Sequence, residues 1–195
     1  QDSRLVLTIN GNLTVQAGGE VNVDGKGYAD GEGPGEGAWS PRRGGSYGGS
    51  AGDGGVTYGS ILAPEDLGSG GSGNAGPGGG AVILVVSGTT TVDGAITARS
   101  APNSSNGPGS GGSIYLTTAT LGGSGVLDAS GRQSAGGGGG STGVGGGRIA
   151  VVLTGGDSFG ALSLNAQGNT ASNGTQGGGA GTIYTQTLSQ GPGGG

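Results

Sequence analysis

Four runs of alternating apolar residues, each entered directly from a glycine cluster, limit the fold more than any other feature. They are GGGAVILVV at 78–86, SGGSIYLTT at 110–118, GGGRIAVVL at 145–153 and GAGTIYTQT at 179–187. Aligning Val82, Ile114, Ile149 and Ile183 gives spacings of 32, 35 and 34 residues. A period of that size marks a repeat architecture in which each unit buries its apolar side against its neighbours. A shorter element follows most of the runs after a glycine: GAITARS from Gly94, GVLDASG from Gly125, GALSLNAQG from Gly160 and, earlier, GEVNVDGKG from Gly19. Its alignment around Leu162 and Leu164 is ambiguous by two residues.

Within each run the period is two. Val82, Leu84 and Val86 share one face, as do Ile114 and Leu116, then Ile149, Val151 and Leu153, and Leu5, Leu7 and Ile9. Tyr115, Thr117, Ala150 and Tyr184 take the other face, the alternation of a half-buried strand. β-Branched residues dominate these runs, and the glycine density elsewhere is incompatible with helices. The expectation is an all-β chain: a parallel β-solenoid (β-helix) of about five rungs with long Gly-rich loops, ~24 Å tall at the strand spacing of a sheet. A β-sandwich is the rival, but near-constant spacing of equivalent strands favours parallel stacking over hairpins. Residues 1–195 read as one domain, with an inserted loop region at 28–80.

Composition narrows the chemistry. Of 195 residues 57 are Gly, and only 34 are Val, Ile, Leu or Phe. Twenty-nine of those 34 fall within residues 5–23, 81–98, 113–128, 148–164 and 182–188, so a core-forming chain is cut by glycine spacers. Charged residues are 10% and the net charge is -5, which leaves no basic footprint for nucleic acid. With no His, Cys or Met, the usual zinc, haem and iron-sulfur ligands and the serine-histidine-acid triad lack their parts. No apolar run reaches the ~18 residues of a membrane-spanning helix. Gln1 in place of an initiator Met reads as a processed or excised chain, and secretion is the expected setting.

The runs GGGAVILVVSGTTTVDGAITARS, GGSIYLTTATLGGSGVLDASG and GGGGGSTGVGGGRIAVV, with the upstream VDGKGYADGEGPGEG, GGSYGG and APEDLGSGGSG blocks, resemble the Gly-rich β-strand-repeat proteins of bacterial surface and secreted type. Similar repeats occur in some plant extracellular proteins. The resemblance covers nearly the whole chain and implies an extracellular repeat fold without implying an activity or any functional residue.

The glycine spacers have three readings: mobile loops, extended polyglycine segments packed side by side, or ligand-binding surfaces. Gly136–Gly140 and Gly145–Gly147 recur at one phase of the repeat, which argues for order. No GxxxxGK[ST] occurs, and Lys26 is the only lysine.

The insertion carries Trp39, Tyr47, Tyr58, Arg42 and Arg43 with Asp30, Glu32, Glu36, Asp53, Glu65 and Asp66. Trp39, Tyr47, Ile61, Leu62 and Leu67 read as a lid over one flank. The sharper alternative is aromatic stacking on a sugar, with Arg42 and Arg43 meeting acidic groups. Asp24, Asp30, Glu32 and Glu36 cluster as calcium ligands would, but their spacing fits no standard calcium loop, so solvated acids are the default. Asp93, Asp128 and Asp157 occupy unequal phases and make no ladder. A glycosidase carboxylate pair would have to be assembled by the fold, and a polysaccharide lyase using Arg99, Arg132 or Arg148 rests on fold analogy alone. Asn12, Asn103 and Asn173 open glycosylation sequons.

No catalytic, cofactor-binding or metal residue is assigned, and the chain reads as a non-enzyme. The leading expectation is an extracellular or cell-surface structural protein that self-assembles into a fibre, sheath or surface layer. Its contacts would be the two uncapped ends and the lateral face of Ile83, Val85, Tyr115, Val152 and Tyr184. Its partner would be itself, possibly with extracellular polysaccharide. An adhesin or carbohydrate-binding module of a larger surface protein is the alternative, and a polysaccharide-active enzyme comes third.

Overall fold

The structure, a computed structural model, describes residues 4–38, 43–52, 54–72, 76–101, 107–132, 143–170 and 176–191. Alternating apolar residues form ten strands: β1 (Arg4–Ile9), β2 (Leu13–Val15), β3 (Glu20–Asn22), β4 (Ala81–Val92), β5 (Ala95–Thr97), β6 (Ser113–Gly122), β7 (Val126–Asp128), β8 (Arg148–Leu153), β9 (Ser163–Asn165) and β10 (Thr182–Gln186). No helix occurs among the described residues. The larger sheet has the order β1-β4-β6-β8-β10, with β2 also paired to β4, and the smaller has the order β3-β5-β7-β9. Every pairing between named strands is parallel.

Two parallel sheets of unequal size, six strands and four, replace the parallel β-solenoid (β-helix) of about five rungs with long Gly-rich loops that the repeat predicts. The first unit is broken into β1, β2 and β3, whereas β4 runs unbroken past both β1 and β2. The last unit contributes β10 alone to the larger sheet, so the smaller sheet has no fifth strand among the described residues. Among the described residues the glycine clusters at 78–80, 109–112 and 143–147 are buried and pack as hydrogen-bonded backbone beside the sheets.

Register follows the apolar columns. Leu5, Val82, Ile114, Ile149 and Ile183 are directly aligned across the larger sheet. In the smaller sheet Val21, Ile96, Leu127 and Leu164 align, which resolves the ambiguity in favour of Leu164. The two columns meet in one core, where Val82, Leu84, Ile96, Ile114, Leu116, Leu127, Ile149, Val151 and Leu153 are all but sealed from solvent. Each such side chain contributes about 1.5–3 kcal/mol relative to exposure.

One hydrogen bond recurs where each connection returns to the larger sheet. Gly80 N–H donates to Val23 O, Gly112 to Ala98 O, Gly147 to Ala129 O and Gly181 to Ala166 O, over 2.7–2.9 Å. The donor directly precedes a larger-sheet strand and the acceptor directly follows a smaller-sheet strand. The long insertion therefore leaves and re-enters the fold at the same point as the short connections.

The glycine clusters line up between these closures. Gly79 N–H donates to Ser110 O, Gly111 to Gly145 O and Gly146 to Gly179 O, linking successive units. The insertion lies over this row: Gly68 donates to Gly79 O, Ser110 to Ser69 O, Gly145 to Gly45 O and Gly49 to Gly146 O. A methyl group at Gly79, Gly111 or Gly146 would overlap the carbonyl of Ala98, Ala129 or Ala166 respectively. Close backbone approach, satisfied by mutual hydrogen bonds, is why glycine is required there. Of the three readings of the spacers, side-by-side packing describes these residues, including Gly145–Gly147. Gly136–Gly140 lies outside the described residues.

Candidate functional site

The two ends of the sheets are the first candidate. β1 and β10 are the outer strands of the larger sheet, β3 and β9 those of the smaller, and no described strand pairs with their outer edges. Leu7 and Ile183 belong to the inward-facing columns, yet they are 41% and 46% exposed, with no described strand beyond β1 or β10 to cover them. Outward-facing Val6 adds to the exposed apolar surface of β1. Natural sheet edges are commonly guarded by charges or proline. Here β9 and β10 carry no charged residue, β1 carries only Arg4 and β3 only Glu20.

The lateral face is different from the one expected. Leu67 and Tyr28 of the insertion cover Ile83 and Tyr115, and Tyr184 is buried. What stays open is one stripe in a single register column, Thr8, Val85, Thr117, Val152 and Gln186, exposed at Thr8 and Val85 and half-buried at the rest.

The insertion is anchored along the column Arg4, Ala81, Ser113, Arg148 and Thr182. Arg4 Nε donates to Glu65 O over 2.8 Å, Ser113 Oγ to Asp66 O over 2.6 Å, and Arg148 Nη2 to Tyr58 O over 2.7 Å. Arg148 Nη1 also donates to Thr182 Oγ1 over 2.9 Å. Arg148 is buried, and its guanidinium sits 5.3 Å from the ring centroid of the fully buried Tyr47, close enough for a cation-π contact. Tyr47 and Tyr58 pack with ring centroids 4.8 Å apart. Burial pushes the Tyr47 hydroxyl up to about 12 and raises that of Tyr58 as well, because an ionised phenol loses its hydration there.

The lid reading therefore holds for Tyr47 and Leu67, which are buried, and fails for Ile61 and Leu62, which are exposed. Tyr47 offers no face for sugar stacking. Trp39, Arg42 and Asp53 lie outside the described residues.

A second cluster closes the smaller sheet. Arg99 Nε donates to Asp24 Oδ2 and the Arg99 N–H to Asp24 Oδ1, both over 2.8 Å. The Arg99 guanidinium also lies 3.6 Å from Glu20 and 3.9 Å from Asp128, and Arg132 lies 3.6 Å from Asp24. Sequence reading missed this group because its members are up to about a hundred positions apart.

The acids expected to share calcium do not converge. Asp24 is held by the two arginines, Asp30 and Glu32 line a cavity, and the exposed Glu36 is not among its lining residues. Among the described residues no group of three acids could hold a metal ion. That cavity, about 630 Å³, is lined by Gly25, Lys26, Gly27, Tyr28, Ala29, Asp30, Glu32 and Pro77. Asp93 accepts from Ser124 N–H, and Asp157 from Ser189 N–H, a bond that holds the Asp157 carboxyl below its usual range. Asp93 and Asp157 thus each tie one unit to the next, across 31 and 32 positions, Asp128 serves a local turn and an ion pair, and Arg99, Arg132 and Arg148 are all engaged. Asn12 is exposed, although its Oδ1 accepts from Thr89 N–H. Asn103 and Asn173 lie outside the described residues.

No family model, curated protein or solved structure matches the chain.

Proposed function

We propose that the chain is an extracellular or cell-surface structural protein that assembles with copies of itself into a fibre, sheath or layer. The observation that carries this reading is the exposure of core-column residues at both open ends, Leu7 on β1 and Ile183 on β10. Pairing at an unprotected edge satisfies backbone groups and buries apolar side chains with every added copy. The lateral stripe through Val85 offers a weaker second contact, since the insertion occupies the rest of that face. Electron microscopy with light scattering on concentrated protein tests it: fibres or sheets are expected, and separate particles of monomer mass at every concentration would refute it.

A carbohydrate-binding or adhesive module of a larger surface protein is the second reading. It is favoured by the cavity beside Tyr28, where an aromatic ring, Lys26 and two carboxylates line one opening, the mixture that orients polar ligands. Glycan-array binding lost in Tyr28→Ala would support it, and an array without signal would remove it.

A further inference from the structure

The proposed assembly can meet in two ways, end to like end or end to opposite end, and the register decides between them. We infer that the junction is head-to-tail: β10 of one copy pairs in parallel with β1 of the next, within the larger sheet. This rests on the self-assembly reading and specifies its partner surface as a second copy of this chain.

Two observations point to it. First, all named strand pairings are parallel and one column register persists from β1 to β10. Placing the next copy one strand step beyond β10 therefore repeats an operation already used inside the chain. Second, residues that would become neighbours are compatible. In the larger sheet Ile183 meets Leu5, Thr185 meets Leu7, Gln186 meets Thr8 and Thr182 meets Arg4. The Ile183–Leu5 column stays apolar and no like charges face each other.

Like-end pairing of β1 with β1 would instead be antiparallel and would close a two-fold dimer, whereas the head-to-tail contact leaves a free end of each kind and propagates.

The absence of cysteine makes the junction directly readable. Thr8 and Gln186 lie on the open stripe, and in the proposed junction their Cα atoms come within ~5 Å, inside disulfide range. Thr8→Cys and Gln186→Cys are purified separately, mixed under assembly conditions and oxidised. Disulfide-linked heterodimers in the mixture, and a ladder of covalent multimers from the double variant, are expected, with neither single variant cross-linking alone. Cross-linking by Thr8→Cys alone, or fibres whose mixture forms no disulfide, overturns the head-to-tail junction while leaving self-assembly standing. Monomers only, by light scattering of the unoxidised wild type, overturn both.

Discussion

The hydroxyls of Tyr47 and Ser113 lie 2.8 Å apart, bridging 66 positions of sequence, and both side chains are fully buried. Ser113 has one hydroxyl proton and gives it to Asp66 O at 2.6 Å, so Tyr47 is the donor of the pair. This contact places the insertion on β6, the middle strand of the larger sheet's order.

Tyr47→Phe removes a donor yet leaves Ser113 bonded to Asp66, so a loss of about 1 kcal/mol is expected. Tyr47→Ala also removes the ring under Arg148, and about 3–5 kcal/mol is expected. Urea unfolding curves give both numbers. Equal costs would mean that the ring does not carry the packing.

The glycine layer predicts a contrast between two alanine substitutions. Gly111→Ala drives a methyl into Ala129 O and should cost more than about 2 kcal/mol. Gly122→Ala meets nothing within 4 Å and should be close to neutral. Thermal melts of the two variants decide this, and similar melting temperatures would contradict side-by-side packing.

Stability should fall in alkali. Tyr47 keeps its proton to about pH 12 when folded but loses it near 10 when unfolded, so between those values the unfolded chain binds fewer protons. Folding free energy is then undiminished below pH 10 and falls as pH rises toward 12, by roughly 2–3 kcal/mol from this residue. Tyr58 shifts in the same direction and adds to it. Denaturant midpoints measured from pH 8 to 12 should decline above 10, and less steeply in Tyr47→Phe.

Asp24 accepts two hydrogen bonds from Arg99 and faces Arg132. Asp24→Ala should cost about 1–3 kcal/mol, because Arg99 and its backbone N–H lose their acceptor. Glu20→Gln, at a more exposed 3.6 Å contact, should change stability by less than about 1 kcal/mol. Chemical denaturation of both variants provides the comparison.

What was legible followed from local pattern. Val82, Ile114, Ile149 and Ile183, aligned by their glycine-flanked runs, are the register of the larger sheet, since alternation and phase fix which residues can face a core. The break of the first unit into β1, β2 and β3, and the four-strand limit of the smaller sheet, depend on where the chain turns, which short apolar triplets do not encode. The glycine partners were equally hidden: Gly111 and Ala129 meet only because two connections run side by side, and the recurring phase of the glycine clusters does not name what each one touches. Arg99, read as a candidate lyase arginine, and Asp24, read as a calcium candidate or a solvated acid, stay apart in the sequence for the same reason. Tyr47 and Leu67 are visible as lid residues, yet the equally or more apolar Ile61 and Leu62 stay exposed because the chain there is held by backbone contacts through Tyr58, Glu65 and Asp66.

If open core columns at β1 and β10 drive the proposed association of copies, a charge placed there abolishes it, which sedimentation velocity across a dilution series of wild type and Ile183→Lys resolves. Ile183 is already half exposed, so the lysine should leave the fold intact while placing a desolvated charge in the junction. Large, concentration-dependent species are expected for the wild type and a single monomer boundary for the variant. A wild type that sediments as monomer throughout, or a variant that assembles as readily as wild type, would contradict it.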